Sequence, residues 1–326
     1  MNKSVLSTFK LGLVTLGLMS ISAWAGDKVD ESAQTSADGF LVVDVQSGDV
    51  KIQTWDKNEI KVVGELDDDA EGYKFEVDGR KVYFKVKMPE RRWGGFNNSD
   101  GSKLEFWLPA SNKLKFEGVN VNVKADGVQG GSMINTVNGD IDASNLSDKV
   151  KLETVNGDIN AKDLTGKINI YTVNGEVKDR DSKGTLAIET VNGEIDSTTN
   201  ATELALNNVN GDMRVVMTKV EDVEVSTVNG DIDIELDLIA KGRFVYSSVG
   251  GDADILFLGD VSADFDIEAH AGGDIDNYIT SDKAKEAKYG PSSRLRFKVG
   301  AGDADVEIDT VSGDVKLKAS KAIERK

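Results

Sequence analysis

Apolar and polar positions alternate in short runs along most of this chain, and the runs return at a fixed period. In Lys149 to Asn160, K-V-K-L-E-T-V-N-G-D-I-N, Val150 and Leu152 alternate with Lys151 and Glu153, the mark of a strand with one dry face. Apolar residues stand five and three positions before the valine of the T-V-N-G-D phrase. They are Ile168 and Ile170, Leu186 and Ile188, Leu204 and Leu206, Val223 and Val225, Phe244 and Tyr246. Another stands four positions after it: Ile141, Ile159, Val177, Ile195, Met213, Ile232. Each repeat therefore predicts a strand, an Asn-Gly corner, a second strand and a polar turn such as Asn145 to Lys149 or Asp163 to Lys167.

The phrase starts at Thr136, Thr154, Thr172, Thr190 and Asn208, four intervals of 18 residues, and returns at Thr227, Ser248 and Thr310. A fixed period of that size means stacked units, none of which can bury its apolar face alone. Two topologies fit. Asn-Gly is a strong hairpin signal and argues for an antiparallel meander. Alternatively each repeat is one coil of a parallel stack, with equivalent residues about 4.8 Å apart instead of about 9.6 Å. Repetition of the asparagine itself favours the stack, because neighbouring side-chain amides can then hydrogen-bond in a ladder. The predicted ladder is Asn138, Asn156, Asn174, Asn192, Asn210 and Asn229. Gly139, Gly157, Gly175, Gly193, Gly211 and Gly230 follow it and supply a positive φ. The expected fold is all-β: a single-stranded β-solenoid, parallel β-helix-like, with rungs of about 18 residues over 132–318.

Residues 26–131 are strand-rich without the repeat and predict a mixed or antiparallel β N-terminal cap continuous with the stack. Phe75 to Val77 and Val82 to Val86 flank Asp78-Gly79, a hairpin signal. Toward the C-terminus the corner glycines run Gly211, Gly230, Gly251, Gly273, Gly302 and Gly313 with uneven spacing. Ser281 to Ser293 is a polar insert, expected as a loop or short helix. The charged 319–326 segment is expected to form a tail covering the last rung.

The first 25 residues change the picture of where the chain works. Lys3 and Lys10, the apolar Leu11 to Ile21 and the small-x-small Ala23-Trp24-Ala25 read as a cleavable signal peptide. The expected location is periplasmic or extracellular, with no membrane span after cleavage. There is no cysteine, which removes disulfides, thiolate metal sites and a lipid-carrying cysteine. Loss of the leader takes the formal charge from −18 to −20. Such a chain repels nucleic acid at long range and favours cations, basic proteins or neutral glycans.

The order of Val45-Gln46-Ser47-Gly48-Asp49-Val50, Thr54-Trp55-Asp56-Lys57, Leu104-Glu105-Phe106-Trp107-Leu108-Pro109 and the T-V-N-G-D array resembles the bacterial putative-adhesin β-strand-repeat family. The resemblance runs from about Phe40 to Leu317. It implies an exported β-solenoid with an adhesive or envelope-associated role, and it brings no catalytic residues.

Candidate chemistry is sparse. His270 is the single histidine; without a serine and oxyanion motif it reads as a residue on a solvated strand end. Asp140, Asp158, Glu176, Glu194, Asp212, Asp231 and Asp252 each follow a corner glycine. Stacked carboxylates would repel by about 0.9 kcal/mol per pair even in water. Calcium could relieve this, but the glycine-rich nonapeptide of calcium β-rolls is absent. The expectation is splayed, solvated side chains near Lys151, Lys162 and Lys178, with no metal and no cofactor. Arg91, Arg92, Trp93 and Phe96, in the Gly-rich Met88 to Ser102 segment, are the types that anchor interfaces or stack on sugars. The composition predicts a non-enzymatic structural or binding protein whose partner is a cell-surface, glycan or envelope component. A carbohydrate-active β-helix enzyme, with Arg214 or Arg243 beside acidic corners, and a partner in envelope-stress signalling are the alternatives.

Overall fold

The computed structural model describes residues 28–89 and 100–320. The leader, the Arg91, Arg92, Trp93 and Phe96 segment and the last six residues lie outside the described residues. What is described is all-β, a stack of repeats in which parallel strands pair at intervals of one repeat. Ser147–Asn156 pairs with Thr165–Asn174, which pairs with Lys183–Asn192, then Glu203–Asn210, all parallel and in register. The short strands do the same on a second face: Ile141–Ser144, Ile159–Lys162, Val177–Arg180, Ile195–Thr199. Parallel pairing one repeat apart gives the solenoid-like arrangement and excludes the meander.

Alternation decides which side chains fill the space between the two faces. Val150, Leu152 and Thr154 point inward from one strand and Ile159 and Ala161 from the next, all buried. The turn between repeats is not wholly polar as the sequence suggested. Asn145, Asp163 and Asp181 adopt left-handed φ of 54°, 53° and 61°, which short polar side chains tolerate. That turns the following Leu146, Leu164 and Ser182 into the core, each fully buried. A single leucine in a polar run was too weak a signal to read.

The N-terminal segment joins the same stack. Phe40–Trp55 pairs in parallel with Lys113–Asp126 along both faces. Beyond it antiparallel strands finish the edge: Lys28–Gln34 against Glu59–Glu65, and Tyr73–Asp78 against Lys81–Val86 with the Asp78-Gly79 turn. Phe84 meets Phe106 edge-on at 5.2 Å between ring centroids.

The C-terminal end departs from chain order. Ile232–Gly250 pairs not with the following Ala263–Ala269 but with Ala304–Thr310, and Ala253–Phe257 pairs with Val315–Ala319. The last coil of the chain is thus threaded between the coil before it and Ala263–Asn277. The glycine column accordingly runs Gly230, Gly251, Gly313, Gly273, and Gly302 lies outside it. The outer edge is closed by Ser293–Val299, antiparallel to Ala263–Ala269, with Phe265 stacked on Phe297 at 4.4 Å. The insert forms no helix; Lys285–Glu286 pairs with Ser293 and Arg294 as a small hairpin. This hairpin strand and Ser293–Val299 cover the end of the first face, and residues 321–326 of the expected tail lie outside the described residues.

Candidate functional site

Along the corner the asparagines stack. Asn138 Nδ2 donates to Asn120 Oδ1, Asn156 to Asn138, Asn174 to Asn156, Asn192 to Asn174, Asn210 to Asn192 and Asn229 to Asn210, at 2.7–3.1 Å. The glycine after each is demanded by closeness more than by φ. Gly157 and Gly193 do not have positive φ, yet a Cβ on any of the five from Gly157 to Gly230 would collide with the carbonyl oxygen of the preceding corner glycine. The threonine that opens the phrase is buried and ties the corner down: Thr154 Oγ1 donates to Gly139 O at 3.0 Å and Thr172 Oγ1 to Gly157 O at 3.2 Å. Its period was visible in the sequence, but its bond partner one coil away was not.

The carboxylates after the glycines are not simply splayed into solvent. One oxygen of each aspartate accepts the backbone N–H of the next coil's acidic residue: Asp158 to Asp140, Glu176 to Asp158, Asp231 to Asp212, Asp252 to Asp231 and Asp314 to Asp252, at 2.8–2.9 Å. Amide donation offsets the stacking repulsion, since a hydrogen bond to a charged acceptor is among the stronger kinds. Where glutamate stands, at Glu176 and Glu194, the longer side chain makes no such bond among the described residues. Lys178 instead reaches Glu176 at 2.5 Å.

Beside this column, on the outer surface of the second face, runs a groove of about 590 Å³. Its walls carry ten carboxylates and two cations, Arg214 and Lys316. The inner carboxylates are those of the corner column, Glu176, Glu194, Asp212, Asp231, Asp252 and Asp314. The outer row follows strand register: Asp196, Arg214, Asp233, Asp254, Lys316, Asp276. Each cation thus sits between two acids about 4.8 Å away, which relieves repulsion along the row while the groove stays strongly negative. Asp196 pairs with Arg180 and Asp254 with Lys318. Asp233, Asp276, Arg214 and Lys316 have no ion pair among the described residues, and these four face the groove free to meet a ligand. Arg243 is not in the groove; it lies 3.6 Å from Asp222 on the other face.

No group of three or more His, Cys, Asp or Glu side chains among the described residues is arranged to hold a metal ion. His270 is exposed, with Nε2 2.9 Å from Asp309 and Nδ1 3.6 Å from Glu268. The hydrogen bond to Asp309 raises its pKa. No helix among the described residues is long and apolar enough to cross a membrane.

Fold and site together define an all-β repeat protein that bears a mainly acidic groove along its stack. The chain belongs to the family described as Toastrack DUF4097, whose model matches residues 40–318. No curated protein matches it. Among solved structures it is similar to a putative cell adhesion protein from Clostridium sporogenes, at 9% identity, with 90% of this chain and 100% of that one covered and a TM-score of 0.25. A putative adhesin from Bacteroides fragilis shows 12% identity, coverage of 89% and 97%, and a TM-score of 0.35. A putative lipid binding protein from Parabacteroides distasonis shows 13% identity, coverage of 91% and 98%, and a TM-score of 0.31.

Proposed function

We propose that the chain is a non-enzymatic, exported binding scaffold of the cell envelope, periplasmic or extracellular. In this reading 132–318 form a β-solenoid, 26–131 form a β cap continuous with it, and the acidic groove meets a partner. The partner is an envelope or cell-surface component with cationic groups, a basic protein or an amine-bearing glycan. The groove is the observation that carries this reading: ten carboxylates against two cations on a surface that strand pairing holds fixed. A formal charge of −20 once the leader is removed adds long-range attraction for cationic partners and repulsion of nucleic acid. Arg91, Arg92, Trp93 and Phe96 are proposed as a second contact on residue type alone. The Asn-Gly corners, Asn138 to Gly230, are proposed as the structural ladder that keeps the surface rigid.

The test is retention of the purified protein on cell-envelope fractions at low and high salt, compared with the double variant Asp233→Lys, Asp276→Lys. Retention that falls in salt and in the variant supports the groove as the contact. Retention indifferent to both rejects it. The pair Arg92→Ala, Trp93→Ala examines the second contact in the same assay.

A further inference from the structure

Six Asn-Gly pairs lie on one exposed corner, and Asn-Gly is the dipeptide whose backbone most readily attacks its own side chain. The glycine has no side chain to hinder approach of its nitrogen to the asparagine Cγ. The stack blocks that reaction in two ways. Each of the first five side chains is held at both ends, its Nδ2 donating to the previous asparagine and its Oδ1 accepting from the next. The attacking nitrogen is engaged as well: Gly139, Gly157, Gly175, Gly193 and Gly211 each donate their N–H to the carbonyl of the next asparagine, at 3.0–3.4 Å.

Asn229-Gly230 escapes both restraints. The next coil places Gly250 opposite Asn229, so the ladder ends there. Asn229 Nδ2 still donates to Asn210 Oδ1 at 3.1 Å, but its own Oδ1 accepts from no donor among the described residues. The Gly230 N–H makes no hydrogen bond among the described residues either. Asn229 is exposed.

We propose that Asn229 is a built-in deamidation site, and that the asparagine ladder protects the other five Asn-Gly pairs from the same reaction. The Gly230 nitrogen gives its proton to hydroxide and attacks Asn229 Cγ. The new N–Cγ bond closes a five-membered succinimide. The Cγ–Nδ2 bond breaks, and the nitrogen leaves as ammonia after taking a proton from water. A water molecule then opens the ring at either carbonyl, leaving aspartate or isoaspartate at 229. The product adds a negative charge beside Asp231 and removes the amide that donates to Asn210, so the ladder loses its last bond.

The experiment is incubation of the purified full chain in mildly alkaline buffer, with site-resolved peptide mass spectrometry and isoaspartate detection over time. Asn229 is expected to convert about tenfold faster than any of the other five, the rate equivalent of two hydrogen bonds at the low end of their net worth that need not break first. Conversion at Asn229 no faster than at Asn156 or Asn174 overturns the proposal. Gly250→Asn extends the ladder: the position does not have positive φ, and an added Cβ meets nothing closer than 3.7 Å. In that variant, conversion at Asn229 is expected to slow severalfold toward that of the other five, because the side-chain bond is restored while the Gly230 N–H stays unengaged. An unchanged rate with a native circular dichroism spectrum also overturns the proposal. Should the variant not fold, the comparison among the six wild-type sites decides alone.

Discussion

Asp179 is the inward residue that fits the pattern least. Its register neighbours are Ala161 and Ser197, and it is fully buried. Ser182, which replaces the Leu146 and Leu164 of earlier turns, donates its hydroxyl to Asp179, and Ser197 donates at 3.0 Å. Burial pushes the carboxyl up, against the opposing pull of those hydroxyls and of Arg180. A raised folded pKa means that the native state holds its proton longer than the unfolded chain. Stability therefore falls as pH rises from about 3.8 to the raised value, then levels off. Asp179→Ala with Ser182→Leu restores the neighbouring arrangement, and should remove that slope and add about 1–3 kcal/mol at neutral pH, checked by denaturant unfolding across pH. His270 gives a slope of the same sign from a different cause, stabilisation of its charged form. Its pKa is raised above 6.5 by the bond to Asp309, so its contribution is complete below 6.5 and fades as pH rises through the folded value. His270→Ala should lose a little stability in acid and none in alkali. The sequence contained the Asp179 signal, an Ala-Ala-Asp-Ser column coinciding with Leu-Leu-Ser, but only pairing showed that the exceptions touch.

At the scale of the corner and its strands, four of the five letters of the phrase have separate jobs. Threonine, at Thr154 and Thr172, pins a carbonyl of the previous coil, asparagine builds the ladder, glycine admits the neighbouring backbone and aspartate accepts the next amide. Gly157→Ala should cost about 3 kcal/mol, because backbone must move aside for the new methyl. Gly250→Ala, with open space and no positive φ, should be nearly neutral; thermal unfolding of the two variants separates closeness from φ as the cause. Asp231→Ala strips the acceptor from the Asp252 N–H and should cost about 1 kcal/mol. Strand positions and corners were legible in the sequence because alternation and turn chemistry are local. The inward Leu146 and Leu164 were not, since one apolar residue amid polar ones has no period.

For the whole molecule the decisive feature is the threaded last coil. The hairpin of Ala263–Ala269 and Ser293–Val299 covers the outer edge of the stack's first face, which leaves only an inner edge for Ala304–Thr310. Truncating the chain before residue 303 therefore removes an inner layer, not a terminal one. Such a protein should lose the protease resistance of everything from about 243 onward, whereas removal of a terminal coil would trim the end alone. Limited proteolysis with mass mapping distinguishes the two. The same threading shapes the groove, because it brings Lys316 between Asp254 and Asp276.

The residues alone determined the period, the strand faces, the corner chemistry and the acidic balance, all of which follow from neighbours along the chain. Tertiary structure decided which coils touch at the C-terminal end, where the ladder stops and which charges share the groove. Those depend on the pairing of strand edges far apart in sequence, and no local pattern encodes which of two equivalent edges a returning strand will take.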